Sequence, residues 1–159
     1  MPTHPILGLL DKGDHKLVLA ESCTGGMICA SLAQIPGISS RLCGSAVTYR
    51  SETKTQWLSI PVSLIEQYTA ESAEVTQAMA REVLAKTPEA TISAAITGHF
   101  GPDAPQEMDG VVFIAVSRRV ADKIVQVTCI RRELVQTDRL SRQLEASQLV
   151  IKQIQSSLQ

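Results

Sequence analysis

Leu17-Val18-Leu19-Ala20-Glu21-Ser22-Cys23-Thr24-Gly25-Gly26 decides how the chain is read. An apolar run leads directly into a hydroxyl, a thiol, a second hydroxyl and two glycines, followed by the helix-compatible stretch from Met27 to Gln34. That order predicts a buried strand, a tight turn and the exposed N-terminus of a helix. Such a terminus offers unpaired backbone N–H groups to anions, and glycine lets a ligand approach the backbone without meeting a Cβ.

Working outward, a first helix is expected over Pro5 to Lys12, and the helix from Thr24 should stop before Pro36-Gly37. Gly44 to Tyr49 reads as a strand, Ser51 as the cap of a helix through Leu58, and Pro61 as the opening of another near Val62 to Gln67. Ser72 should start a longer helix whose Val75, Met79 and Val83 recur at helical spacing. Ala90 to Thr97 is a buried-type strand stopped by Gly98. Gly110 to Ser117 and Ile124 to Ile130 form a hairpin around Arg119 to Lys123, and a last helix runs from Asp138 toward Ser156. Helices between early strands and consecutive strands later imply an α/β fold: a three-layer α/β/α sandwich whose mixed sheet is parallel in part.

The 159 residues are expected to form one domain, 1–159, with 44% hydrophobic residues and 15 basic against 16 acidic side chains. A net charge of −1 carries no footprint for nucleic acid, so Arg118-Arg119 and Arg131-Arg132 read as solvated strand ends. No apolar stretch reaches the roughly 20 residues that span a bilayer, and no signal pattern opens the chain, so a cytoplasmic protein without a membrane partner is expected. Cys23, Cys29, Cys43 and Cys129 contain no C-x-x-C pair, which predicts no metal site. Three read as small buried hydrophobes; Cys23, at the helix start, sits where a thiol's pKa can fall.

In open α/β sheets ligands bind beyond the carboxyl ends of parallel strands, which here carry Glu21-Ser22, Thr48-Tyr49 and Thr97-Gly98. A hydroxyl nucleophile needs a base, and neither His4 nor His15 is well placed. Lys54 is the alternative, with a pKa lowered by burial and a tyrosine hydroxyl to relay the proton or hold an oxyanion. Ser22, Tyr49 and Lys54 can thus form a Ser-Tyr-Lys group. Spacing alone favours a second reading, with Ser22 as a helix cap, Tyr49 as a half-buried strand residue and Lys54 as solvated.

Several segments together resemble the CinA C-terminal domain family. They are Ala20 to Gly26, Pro36-Gly37 with Ser39-Ser40, Tyr49 followed by Lys54, and Ala73-Glu74-Val75 with Ala78-Met79-Ala80. Thr97-Gly98 with Gly101-Pro102 and then Gly110-Val111-Val112 complete the series, which spans nearly the whole chain.

The resemblance implies a nicotinamide mononucleotide deamidase of pyridine-nucleotide salvage, a metal-independent amidohydrolase that needs no cofactor and releases nicotinate mononucleotide and ammonia. On that basis Ser22 is the nucleophile, Lys54 the base and Tyr49 a helper in proton transfer. Cys23, Thr24, Gly25, Gly26, Thr97, Gly98 and Arg139 bind the substrate, a small nucleotide. The 24–26 turn faces either the phosphate or the developing oxyanion, and Arg139 either grips the phosphate or lies on the surface of the first helical turn.

The family often carries this domain behind a molybdopterin-binding-like one, and the chain resembles the standalone form, with homo-oligomerisation expected from its apolar helix faces. It departs from the family pattern at 97–109. Two small or apolar residues and a glycine-rich loop are replaced by His99, Phe100 and a shorter loop holding Asp103, Glu107 and Asp109. Two rings there can narrow the pocket, and the carboxylates would repel a phosphate if they faced it. The departure leaves two alternatives, an inactive nucleotide-binding paralogue and a hydrolase of another small amide.

Overall fold

A computed structural model describes residues 3–159; residues 1 and 2 of the expected 1–159 unit lie outside the described residues. Strand β1 (Leu17–Glu21) is buried along its whole length. Its alternate side chains feed two cores: Leu17 and Leu19 join one, Val18 and Ala20 the other. It therefore lies mid-sheet, between β2 (Leu42–Val47) and β3 (Ile92–Gly98), parallel to both. Strands β4 (Val111–Val120) and β5 (Lys123–Glu133) extend the sheet antiparallel, giving the order β2-β1-β3-β4-β5.

Helices α1 (Pro5–Lys12), α2 (Met27–Ala33) and α6 (Arg139–Leu158) supply Ile6, Leu10, Ile28, Leu32, Val150 and Ile154 to the first core. Helices α3 (Ser51–Leu58), α4 (Val62–Tyr68) and α5 (Ala73–Ala85) cover the second. The three-layer sandwich with a partly parallel sheet is thereby confirmed. On the α5 side, Ala20, Ala95 and Ala115 stand side by side on β1, β3 and β4. Three methyl groups in register make a shallow floor for Met79, Ala80 and Val83 of α5.

Ser72 caps α5, accepting from the Val75 N–H at 3.2 Å, and Asp138 caps α6, accepting from Ser141 at 3.0 Å. Ser51 does not cap α3: it is the first helical residue, and Arg50 is the cap. The hairpin turn is tighter than expected, because Ala121 and Asp122 both adopt positive φ (49° and 65°) and close a two-residue connection between Val120 and Lys123. Arg119 is not a solvated strand end. Its guanidinium donates to the carbonyls of Leu84, at the end of α5, at 2.7 Å and of Ala90, in the connection to β3, at 3.2 Å.

Gly98 closes β3 opposite Val112, and a Cβ there would stand 2.6 Å from Val112 Cγ1 and 2.7 Å from the Val111 carbonyl. Its contacts give it a packing role. Gly98→Ala is expected to lower unfolding free energy by about 1–3 kcal/mol through overpacking, read from urea melts.

Candidate active site

Ladder hydrogen bonds continue past the strands and hold the site segments in line. The Ser22 N–H donates to the Ile96 carbonyl at 3.2 Å and the Thr48 N–H to the Glu21 carbonyl at 2.9 Å. Ser22, Thr48-Tyr49 and His99 thus gather at one edge, beyond the carboxyl ends of β1, β2 and β3, as the topology predicts.

Lys54, on α3, reaches under this edge. Its Nζ donates to Ser22 Oγ at 3.0 Å and to the Thr48 carbonyl at 2.8 Å. The side chain is 1% exposed, which removes the reading of Lys54 as solvated. Burial pushes its pKa below the usual lysine value, against the opposing pull of the Glu71 carboxylate. Ser22 is buried and its hydroxyl faces the lysine rather than capping α2.

The turn after Ser22 differs from expectation. Gly25 and Gly26 adopt positive φ (60° and 101°), so α2 begins at Met27 rather than Thr24. Its N-terminus is already occupied by the buried Glu21 carboxylate. That group accepts from Thr24 Oγ1 (2.8 Å) and from the N–H groups of Ile28 (2.9 Å) and Cys29 (3.1 Å). Ser45 Oγ, on β2, adds a fourth bond at 2.8 Å. The chain thus supplies its own anion to the helix end. Cys23, far from being activated, is a buried thiol whose pKa burial pushes up to about 12.

Tyr49, 53% exposed, is not a half-buried strand residue. Its hydroxyl accepts a 2.5 Å hydrogen bond from Arg139 Nη2, while Arg139 Nη1 donates to the Gly101 carbonyl. Among the described residues Tyr49 has no hydrogen bond to Ser22 or Lys54, so the structure joins Tyr49 to Arg139 and Ser22 to Lys54. Thr97 is fully buried, its Oγ1 2.8 Å from Thr76 Oγ1, inside the β3–α5 contact.

The departing loop resolves into separate roles. Phe100 does not line a pocket: at 4% exposed it packs in the core that holds Leu134, Ala146 and Val150. Asp109 does not face the site, because Arg142 Nη1 holds Oδ1 at 2.8 Å and its guanidinium keeps the carboxyl below the usual range. Arg142 also donates to the carbonyls of Phe100 (3.0 Å) and Gln136 (2.9 Å), tying the loop to α6. His99 is the ring that stays at a cavity wall. With Glu71, Tyr68 and Met108 it lines a cavity of about 620 Å³, and its Nε2 lies 3.6 Å from Glu71 Oε2. Glu71 and Arg142 escaped the sequence reading, since each acts on partners distant along the chain. The nearest sequence signal for Glu71 is its place one residue before the Ser72 cap.

A family profile for the CinA C-terminal domain matches residues 3–158. A CinA-like protein of Citrifermentans bemidjiense is 40% identical over 113 residues, which cover 68% of this chain and 26% of that protein. One from Myxococcus xanthus is 35% identical over 114 residues, covering 70% and 27%. The chain spans about a quarter of the length of these curated relatives. A competence-damaged protein (CinA) superfamily protein from Klebsiella pneumoniae superposes with a TM-score of 0.87 at 24% identity, covering 97% of this chain and 93% of that one. The competence/damage inducible protein CihA from Agrobacterium tumefaciens gives 0.84 at 23%, covering 100% and 99%. At these identities the likeness to solved structures is one of fold.

Two outcomes test this geometry. Glu21→Ala strands four donors, two of them buried and two partly buried, and is expected to cost about 3 kcal/mol or more, read from chemical denaturation. Lys54→Met removes an amine whose folded pKa is depressed below its unfolded value. Wild-type stability is penalised while that amine is charged, and the penalty disappears as pH rises toward the unfolded pKa. The stability of Lys54→Met relative to wild type should therefore fall between neutral and strongly alkaline pH.

Proposed function

The chain belongs to the CinA C-terminal domain family, and on that premise we propose that it hydrolyses the amide of nicotinamide mononucleotide, releasing nicotinate mononucleotide and ammonia. The observation that carries this reading is the buried 3.0 Å contact between Lys54 Nζ and Ser22 Oγ. A lysine with lowered pKa, bonded to a serine and shielded from water, is the arrangement a serine nucleophile requires when no histidine serves it.

Neutral Lys54 takes the Ser22 proton as Oγ attacks the amide carbon. The tetrahedral intermediate collapses as Lys54 returns that proton to the departing amine, so that ammonia leaves and an ester to Ser22 remains. Water then attacks the ester carbon, its proton passing through Lys54 to Ser22 Oγ, and the carboxylate product is freed. The N–H groups of Thr24 and Gly26 carry no internal hydrogen bond among the described residues, which supports the turn as the oxyanion donor. With Glu21 filling the end of α2, the phosphate falls to Arg139 and Tyr49 at the open side of the site.

Ser22→Ala should cut ammonia release by about three orders of magnitude or more without unfolding the protein, since no core volume is lost. Near-normal turnover in this variant would remove Ser22 as nucleophile, whereas wild-type binding of the nucleotide without release would favour the binding paralogue. Because the neutral amine is the active form, kcat/KM should rise with pH and level off below pH 10.5, the ordinary lysine value. Lys54→Arg should abolish turnover across that range.

A further inference from the structure

The cavity walled by His99, just past the end of β3 at the sheet edge that also carries Ser22, is lined by groups of two kinds. Tyr68, Met108 and Phe113 offer flat or deformable apolar surface, and Glu71, Glu74 and His99 supply the titratable groups. No lysine or arginine lines it among the described residues. The positive charge of the site lies elsewhere, with Arg139 against Tyr49 and Gly101. Glu71 is half-buried, its carboxylate 3.6 Å from His99 Nε2, and its charge is felt at both Lys54 and Cys23. Through His99 the carboxylate stands at the same sheet edge as Ser22, while Arg142 holds the nearby Asp109 away.

Apolar and aromatic walls suit a planar ring, and a carboxylate among them favours one that carries positive charge. His99 fits the same picture: placed against Glu71, it keeps the carboxylate at the cavity wall instead of in bulk water. We propose that Glu71, steadied by His99, is a specificity-determining residue that selects substrates whose amide-bearing ring is cationic over the same ring without charge. The proposal rests on the amidohydrolase reading of the site, and it explains why the 97–109 departure leaves a polar pair at the pocket rather than a blocked one.

The test compares binding of nicotinamide mononucleotide, whose ring is cationic, with that of its 1,4-dihydro form, whose ring is neutral. Calorimetry at mildly alkaline pH in a Ser22→Ala background removes turnover from the measurement. The parent is expected to prefer the cation by about tenfold, a discounted value for a partly solvated charge. Adding Glu71→Gln should bring the two affinities to within about twofold, because shape is kept and charge is lost. His99→Asn should keep the preference, since the carboxylate remains.

Equal weakening of both nucleotides by Glu71→Gln, or an unchanged ratio, overturns the proposal and leaves the pair a packing element. Binding of neither nucleotide to any variant overturns it as well. Ammonia release by the Ser22-intact protein reports separately on the parent reading: release with an unchanged ratio sinks the selectivity alone, and a collapsed ratio without release sinks the turnover alone. Thermal melts of each variant confirm that the comparison is between folded proteins.

Discussion

A carboxylate buried at the end of a strand organises this molecule. Glu21 has no exposed surface and accepts four hydrogen bonds, two from backbone N–H groups of α2 and two from the hydroxyls of Thr24 and Ser45. Removing a charge from water is costly, and four donors together with the positive end of a helix offset that cost. The same bonds tie β1, β2 and α2 into one unit. They also fix the next residue: with Glu21 directed at α2, Ser22 is left to meet Lys54.

Around that anchor the charges are separated rather than paired off. Lys54 lies deep, bonded to one hydroxyl and one carbonyl, and no carboxylate forms an ion pair with it among the described residues. Glu71 acts on it from a distance while keeping to His99. An ion pair in direct contact would hold the ammonium form and hinder proton uptake, whereas burial with a remote carboxylate leaves the amine easier to neutralise. Arg139 lies on the open side of the site, where an anionic group can reach it without crossing the interior.

The strand-turn-helix reading of 17–26, the helix starts at Ser72 and Asp138 and the hairpin were all legible, because each depends on residues close together in sequence. Pairing of Ser22 with Lys54 was suggested by the strand ends but preferred only through the family resemblance, since spacing alone leaves a solvated lysine open. What escaped was long-range. An exposed helix N-terminus after Gly26 was the natural inference, but the register of β1 turns Glu21 inward to fill it. Phe100 looked like an obstruction because it follows a strand's end, yet the chain reverses there and drops the ring into the α6 core. Arg119 looked solvated, and the carbonyls it meets lie at the far end of α5 and in the segment after it. Each miss is a polar or aromatic side chain whose partner is set by topology rather than by its neighbours.

The first turns of α6 hold the 97–109 segment from both ends. Arg139 takes the Gly101 carbonyl, while Arg142 takes the Phe100 carbonyl and Asp109. Every one of these anchors lies at the base of the loop, and Pro102, Asp103 and the residues from Pro105 to Glu107 are exposed at its tip. Such a loop is modular: its tip can be lengthened, shortened or recoded without disturbing sheet or core, so new substrate shapes can be explored at little risk to folding. The base is not modular, because a change at Asp109 or Arg142 would loosen the loop and the start of α6 together, and with them the helical turn that carries Arg139.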